Sequence, residues 1–137
     1  MIGRSSPRGM MFGFMAVLFG QLGVTAQATE VITTSSDKER HIDIKGKRYG
    51  HIMSGRTGKP AENTFAYVTV IDHDGARGDA LSTALWVLGD KAFDFLKAHP
   101  DIQALLVMKN ENAAYVTPSL ADRTYVKSER LKLKEIE

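Results

Sequence analysis

The stretch "FAYVTVIDHDGARGDALSTALWVLG", residues 65–89, combines two elements of different periodicity. Residues 65–72 are mostly β-branched and aromatic, which predicts a strand. "HDGARG", residues 73–78, predicts a turn, because its two glycines supply backbone freedom. From residue 79 the apolar positions follow a helical period, and Gly89 is expected to end the helix. The predicted apolar stripe of this helix consists of Leu81, Ala84, Leu85 and Leu88.

The segments that follow predict one more helix and two more strands. "DKAFDFLKAHP", residues 90–100, has Asp90 as a candidate N-cap and a proline that prevents continuation. The apolar run 102–109 is expected to be a central strand, and residues 113–118 are expected to pair with it. The tail 125–137 alternates charged and apolar residues, which fits either an edge strand or a frayed, solvated end.

The segments before residue 65 predict short strands. Residues 31–34, "VITT", are β-branched, and residues 41–53 alternate around Gly46 as a hairpin would. The resulting order, strands, then two helices, then strands, indicates an α+β or α/β layer structure with helices packed on a sheet.

The first 28 residues differ in composition from the rest. Arg4 and Arg8 precede about fifteen largely apolar residues, 10–24, and "AQA" at 26–28 offers the small residues that a signal peptidase requires. We therefore predict a signal peptide over residues 1–28 and a domain over 29–137. The alternatives are an uncleaved anchor or a buried segment of the domain, because the run is shorter than the ~20 residues that span a bilayer.

Charge and cysteine content exclude some classes of function. The chain has 18 Lys and Arg, of which two lie in the predicted signal, and 16 Asp and Glu, so the remaining 109 residues balance 16 cations with 16 anions. Because the charges balance, the domain has no net positive electrostatic field that would favour binding of nucleic acid. The chain has no cysteine, which fits an exported protein without disulfides and equally fits the cytosol.

Two groups of polar residues could support chemistry. Asp79 and Thr83 lie four residues apart, so on one helix they face the same way, as two hard oxygen ligands for Mg²⁺ would. The alternative is that Asp79 caps the helix and Thr83 only packs. His51 ends a strand immediately before a glycine-rich loop, where it could act as a base or be a structural surface residue.

The loop "SGRTGKP", residues 54–60, could hold an anion such as a phosphate. It offers backbone N–H groups, the Thr57 hydroxyl and the cations Arg56 and Lys59. It lacks the spacing of a P-loop and does not open a helix after a strand. From the residues alone, the sequence gives a weak indication of Mg²⁺ with phosphate and no named function.

Longer strings are more specific than these spacings. "TTSSD…GKRYGHIMSGRTGKP", "VTVI", "GDALSTALWVLG" and "AHPDIQALLV" resemble, in order and separation, the C-terminal half of the ApbE family, the FAD:protein FMN transferases. The resemblance covers about residues 31–120. It implies an α+β, T-fold-like structure in which two helices pack on a sheet, as half of the full family domain.

The resemblance also implies a reaction and its partners. Members of the family split FAD with Mg²⁺ and transfer FMN to a Ser or Thr hydroxyl of an exported or membrane-bound redox protein, with release of AMP. FAD would thus be the substrate and Mg²⁺ the cofactor, and the protein would lie in the periplasm, be exported, or associate with the inner membrane. No nucleic acid is expected as a partner.

The resemblance carries over to individual residues. Asp79 and Thr83 match the side-chain ligands of Mg²⁺, and His51 matches the histidine that activates the acceptor hydroxyl. The remaining matches are expected to lie beside the flavin nucleotide: Thr34, Ser35, Asp37, Arg56, Thr57 and Gly58.

Three departures from the family pattern bear on activity. The family's N-terminal half is not recognised in the chain, Ser54-Gly55 stands where "DP" is expected, and Ser36 stands where the family has glycine. A half-domain would need a homodimer or a second chain to complete it. The alternative to an active enzyme is therefore an inactive ApbE-like module that binds a flavin nucleotide or a metal.

Overall fold

The computed structural model describes residues 15–19, 22–36, 41–61, 64–127 and 129–137. They form ten strands and three helices. The strands are β1 (Met15–Phe19), β2 (Leu22–Ala26), β3 (Val31–Ser35), β4 (His41–Ile44), β5 (Lys47–Gly50), β6 (Phe65–Asp72), β7 (Gln103–Met108), β8 (Ala113–Val116), β9 (Thr124–Val126) and β10 (Lys132–Glu135). The helices are α1 (Gly75–Leu88), α2 (Lys91–Ala98) and α3 (Pro118–Ala121).

The main sheet has five strands in the order β10-β8-β7-β6-β3. All neighbours are antiparallel except β10, which runs parallel to β8. The predicted strand 65–72 is confirmed, and the predicted central strand lies between β6 and β8. The edge-strand alternative for the tail is also confirmed, because β10 closes one side of this sheet and β9 pairs with β2.

Each face of the main sheet carries its own hydrophobic cluster. Side chains alternate across a strand, so Val68 and Val70 of β6 point to one face and Ile71 to the other. The helix-side cluster includes Leu85, Trp86, Leu96, Leu106 and Phe65. The second hydrophobic cluster, on the opposite face, consists of Leu22, Val24, Ala26, Ile71, Leu105, Ala114, Val116, Leu120 and Ala121. The protein is thus built in three layers: helices, the main sheet, and the small sheet β1-β2-β9 with α3.

Strand β2 lies inside the segment predicted as a signal peptide. Its residues Leu22, Val24 and Ala26 are 1%, 0% and 0% exposed and belong to the second hydrophobic cluster. An apolar, β-branched run of this kind is typical both of a buried strand and of a signal sequence, so the sequence alone does not separate them. In the structure this strand is part of the second hydrophobic cluster, and cleavage after residue 28 stays a prediction.

Helix α1 begins four residues earlier than expected, and the predicted turn 73–78 is mostly helical. Asp74 is the N-cap, and its carboxylate accepts from the amides of Ala76 and Arg77 at 2.9 and 3.3 Å. Gly78 does not serve a turn. It lets α1 approach β3, since a Cβ there would lie 3.0 Å from Thr33 Oγ1.

The buried face of α1 also differs from the predicted stripe. It consists of Gly78, Ser82, Leu85 and Trp86, while Ala84 and Leu88 are exposed. The predicted stripe differs from the buried face because Gly78 and Ser82 are buried, whereas a hydrophobicity pattern assigns a glycine and a serine to the polar face. The buried serine becomes important at the candidate site.

The hairpin around Gly46 is confirmed. Strands β4 and β5 pair antiparallel, and the turn residues Lys45 and Gly46 have φ of 51° and 77°, as a two-residue type I′ turn requires. The hairpin is largely exposed, and β5 leads directly into His51. It therefore positions the start of the glycine-rich loop.

A buried ion pair joins three elements at the other end of the sheet. Arg123 Nη1 lies 2.6 Å from Glu30 Oε2, and the two side chains are 19% and 4% exposed. Arg123 also donates to Gln103, at the start of β7. Burial alone would raise the pKa of Glu30, but hydrogen bonds from Arg123 and the Gln27 amide outweigh it and hold the pKa below its ordinary value.

This ion pair should make the protein sensitive to acid. A carboxylate with a lowered folded-state pKa stabilises the fold above its unfolded pKa, near 4.5, and the stabilisation is lost as the pH falls through the folded value. We expect Glu30→Ala to cost about 1–3 kcal/mol at pH 7, because the partly buried Arg123 loses its carboxylate partner and keeps only its bond to Gln103. Urea unfolding at pH 7 and pH 3 measures this, and the difference between wild type and variant should shrink at pH 3. Exposed Glu111→Ala is the control, and an equal loss in both variants would contradict the argument.

Candidate functional site

Asp79 and Thr83 lie on the exposed face of α1, as predicted. One helical turn, ~6 Å of axial rise, separates them. They line a shallow groove together with Ala76, Ala80, Ala84, Val87, Leu88 and Phe95. The alternative that Asp79 caps the helix is wrong, because Asp74 does so. The Asp79 carboxylate is therefore not engaged in capping and faces the groove.

Thr83 is connected to strand β3 through buried hydroxyl groups. Ser35 Oγ lies 2.9 Å from Ser82 Oγ and 3.3 Å from Thr83 Oγ1. Ser82 Oγ donates to the Asp79 carbonyl at 3.0 Å. The structure thus brings together the predicted site residues Ser35, Thr83 and Asp79. Ser82 was not identified from the sequence, although a serine on the buried side of an apolar helix is a signal that could have found it.

Thr34 does not join this group. Ser35 and Thr33 face α1, so Thr34, between them on a strand, points to the other face of the sheet. Its Oγ1 lies 3.0 Å from Thr69 Oγ1. Thr34 is thus placed where it supports the pairing of β3 with β6. The predicted residue Asp37 lies outside the described residues.

The glycine-rich loop is closed by its own backbone. A bridge pairs Met53 with Pro60, and the Ser54 carbonyl accepts from the amides of Thr57 and Gly58 at 3.3 and 2.8 Å. The Ser54 amide donates to the Lys59 carbonyl at 2.9 Å, and the Lys59 amide donates to Thr57 Oγ1 at 3.3 Å. Gly58 has φ of 64°, a left-handed conformation that favours glycine at this position.

These internal bonds change what the loop can offer an anion. The amides of residues 54, 57, 58 and 59 are used within the loop, contrary to the expectation that they would face a phosphate. The exposed cations Arg56 and Lys59 remain available as donors. These two side chains could therefore contact a diphosphate at this loop.

The loop and the C-terminal end of α1 form a second groove. It is lined by Ser54, Arg56, Thr57, Lys59, Pro60, Ala61, Thr64, Val87, Leu88 and Gly89. Val87 and Leu88 line both grooves, so the grooves adjoin along one side of the helix. Thr83 precedes Leu88 by five residues, or ~8 Å of axial rise. A ligand the size of a dinucleotide could reach both. His51 is exposed at the base of the loop, where β5 ends.

An ion-pair network fixes the N-terminal end of α1 on the sheet. Arg77 donates to Asp72, at the end of β6, and to Asp101 at 3.0 Å. The Asp74 amide, followed by Arg77, lowers the pKa of the Asp72 carboxyl. These contacts connect the first turn of α1 to the end of β6, while the buried face of α1 packs on β3 and β6 and sets where Asp79 and Thr83 project.

The donors present fit a hard divalent cation. Mg²⁺ typically takes one or two protein carboxylates and completes its shell with water and phosphate oxygens. Asp79 and Thr83 supply one carboxylate and one hydroxyl at an open groove. Among the described residues no cluster of three or more His, Cys, Asp and Glu side chains could hold a metal ion. A cation at this position would therefore need further ligands from solvent or substrate.

These elements define an α+β unit with its candidate site on the exposed face of one helix, next to a cationic loop. The chain belongs to the ApbE family, whose model matches residues 3–106. The match begins well before residue 31, where the recognised motifs start, and so includes most of the predicted signal peptide.

Curated relatives carry a common name. The chain is 35% identical over 108 residues to the FAD:protein FMN transferase of Klebsiella pneumoniae (strain 342), covering 78% of this chain and 33% of that protein. It is 31% identical over 100 residues to the FAD:protein FMN transferase of Rhodobacter capsulatus, covering 73% and 19%. The chain thus spans a third or less of the length of these relatives.

Solved structures have the same fold. The apo form of the flavinyl transferase ApbE from Pseudomonas stutzeri superposes with a TM-score of 0.57 at 31% identity, covering 71% of this chain and 31% of that one. The ApbE protein of Thermotoga maritima gives 0.56 at 32% identity, covering 63% and 28%. These similarities confirm the predicted fold class, α+β as part of the full family domain.

Proposed function

We propose that this chain takes part in the transfer of FMN from FAD to a Ser or Thr hydroxyl of a redox protein, with Mg²⁺ as cofactor and AMP as the second product. The names of its relatives support flavin transfer. The observation that carries the proposal is the placement of Asp79 and Thr83 on one exposed helix face, next to a groove with two cations. Such a site suits a diphosphate held together with a metal ion.

The proposed step is a phosphoryl transfer. The acceptor oxygen bonds to the phosphorus of the FMN half of FAD, and the bond from that phosphorus to the bridging oxygen breaks. The bridging oxygen leaves with AMP. Bound Mg²⁺ would neutralise charge on the diphosphate. Asp79 and Thr83 would hold the cation, Arg56 and Lys59 would orient the phosphates, and His51 would take the proton of the attacking hydroxyl.

His51→Ala should therefore slow the transfer without unfolding the protein. Removal of a general base typically costs 10²–10⁴-fold, and we expect at least a hundredfold loss of AMP release. His51 is exposed, so the midpoint of thermal unfolding should change little. His41→Ala is the matched control, because it removes an exposed histidine from the hairpin that leads into His51. A rate for His51→Ala equal to that of the control would exclude the role of base.

A second candidate function is an inactive module that binds a flavin nucleotide or a metal. It is favoured by Ser54-Gly55 in the loop, where the family pattern has a carboxylate and a proline. A homodimer or a second chain that completes the site is part of the same proposal.

The test is AMP release from FAD by the purified full chain, with Mg²⁺ or with EDTA, in the presence of a redox protein that a relative flavinylates, which supplies the acceptor hydroxyl. It is repeated after addition of the remaining two thirds of a relative as a separate polypeptide. AMP release that needs Mg²⁺ supports the transferase, and release only in the mixture supports a partner-dependent subunit. FAD binding without AMP release in either case supports the binding module.

The acceptor would lie outside the cytoplasm or in the inner membrane if the predicted signal peptide functions, and we propose an exported or periplasmic location on that basis. In the described part of the chain, no helix is long and apolar enough to cross a membrane. Determination of the N-terminal residue of the protein isolated from the periplasm would test the proposal.

A further inference from the structure

A series of hydrogen-bonded hydroxyl groups connects the candidate cation site to strand β3. Ser35 Oγ is 2.9 Å from Ser82 Oγ and 3.3 Å from Thr83 Oγ1, and Ser82 Oγ donates to the Asp79 carbonyl. Ser35 and Ser82 are 7% and 0% exposed, so water has little access to either. Thr83, at the end of the series, lines the groove.

The number of protons fixes the direction of these hydrogen bonds. Each hydroxyl has one proton and two lone pairs, whereas a carbonyl oxygen only accepts. Ser82 uses its proton on the Asp79 carbonyl and must accept from Ser35. The proton of Ser35 is then used as well, so Thr83 must donate to Ser35.

We propose that Ser35 and Ser82 are positioning residues that hold the Thr83 proton toward β3 and leave its lone pairs toward the groove. This inference rests on the proposed function, since those lone pairs would serve a divalent cation shared with Asp79. A hydroxyl oxygen ligates a cation through a lone pair. If the hydroxyl proton pointed toward the cation instead, its positive charge would oppose binding of the cation. Groups that orient a ligand in this way typically affect metal affinity 10–100-fold.

Loss of Ser82 should release this order. In Ser82→Ala, the Ser35 proton loses its acceptor and can be donated to Thr83 Oγ1, at 3.3 Å, so the Thr83 proton is no longer held toward β3. We expect about a tenfold lower affinity for Mn²⁺, an ion with the same preference for oxygen ligands as Mg²⁺.

The double variant separates proton order from packing. Ser35→Ala cuts the connection to Thr83, so adding Ser82→Ala to it should leave Mn²⁺ affinity unchanged. An effect of Ser82 that reaches the cation site by another route, such as a shift of α1, would instead persist in the Ser35→Ala background. Double-mutant analysis thus shows whether Ser82 acts through Ser35.

The measurement is a titration of the full chain with Mn²⁺ in the absence of FAD, with free Mn²⁺ followed by electron paramagnetic resonance. Thr124→Val is the matched control. It removes a buried hydroxyl, 7% exposed, that donates to the Leu120 carbonyl at 2.9 Å in the other hydrophobic cluster. It should lower stability and leave Mn²⁺ affinity unchanged.

The outcomes distinguish the two proposals. The proton order would be overturned, and the proposed function left intact, if Thr83→Ala weakens Mn²⁺ binding but Ser82→Ala keeps wild-type affinity. The same conclusion follows if Thr83→Ala weakens binding and the effects of Ser35→Ala and Ser82→Ala add in the double variant. Absence of Mn²⁺ binding in the wild type, or binding insensitive to Asp79→Ala and Thr83→Ala, would overturn the cation site and with it both proposals. A tenfold loss in Ser82→Ala that disappears in the Ser35→Ala background supports the inference.

Discussion

A chain that starts at Thr29 should fail to fold cooperatively. Deletion of residues 1–28 removes β2, whose buried Leu22 and Val24 belong to the second hydrophobic cluster. Each buried aliphatic side chain contributes about 1.5–3 kcal/mol. Loss of the two, with the pairing of β2 to β9, amounts to about 5 kcal/mol, against a typical total stability of about 5–15 kcal/mol. Circular dichroism and urea unfolding of residues 29–137 against the full chain measure this loss.

A point substitution tests the same layer without shortening the chain. Val24→Asp places a carboxyl group at a fully buried position, where an unpaired polar group alone costs roughly 2–7 kcal/mol. The matched control is Ile44→Asp, which makes a similar change on the exposed hairpin, opposite Lys47. The control should unfold like wild type. Equal midpoints for wild type, Val24→Asp and the 29–137 chain would show that the β2 layer contributes nothing to stability.

The result also decides between two interpretations of the N-terminal segment. If the 29–137 chain is unfolded, a product cleaved after Ala28 would lack part of its core and would need a partner to cover Ile71 and Leu105. If it folds with wild-type stability, cleavage after residue 28 is compatible with a stable domain. The family match from residue 3 favours the first outcome.

Strands of the main sheet and of the separate hairpin β4-β5 could be predicted from the sequence because their signals are local. Residues 65–72 combine β-branched and aromatic side chains, and Gly46 marks a two-residue hairpin turn. The start of α1 could not be placed, because the same Asp and Gly residues suit a turn and an N-cap. Only the approach of α1 to Thr33 explains why Gly78 belongs in a helix.

Some features of the candidate site could be predicted from local sequence spacing, and others could not. The spacing of Asp79 and Thr83 puts them on one face of any helix, so their joint exposure followed from the sequence. The contact between Ser35 and Ser82 joins residues 47 positions apart, and no local pattern reports such a contact. Thr34 was grouped with Ser35 by its motif, but the alternation of a strand places the two on opposite faces.

Asp79→Asn should nearly abolish any Mg²⁺-dependent AMP release while leaving the fold intact. The substitution keeps the shape of the side chain and removes the single negative charge that α1 presents to the groove between Ala76 and Leu88. Charge stabilisation by a metal ion contributes several kcal/mol to the transition state, and each 1.36 kcal/mol is tenfold in rate. We expect a loss of at least 10²-fold, measured as AMP formed from FAD at saturating FAD.

Asp94→Asn is the control for this loss, because it neutralises an exposed aspartate on α2 outside both grooves. It should retain wild-type activity. The free energy of unfolding of both variants should lie within ~0.5 kcal/mol of the wild-type value. Equal activity of Asp79→Asn and Asp94→Asn would exclude Asp79 as the cation ligand.

The dependence on Mg²⁺ concentration identifies what Asp79 contributes. If the carboxylate only binds the cation, a high concentration of Mg²⁺ should restore most of the Asp79→Asn rate, because occupancy is then the only deficit. If it also fixes the cation against the diphosphate, the rate at saturating Mg²⁺ should stay low, since an amide is a weaker ligand and donates as well as accepts. Asp79 projects from a helix whose opposite face is buried on the sheet, and it adjoins the Thr83 hydroxyl that Ser35 orients. A site on such a rigid support favours the second outcome.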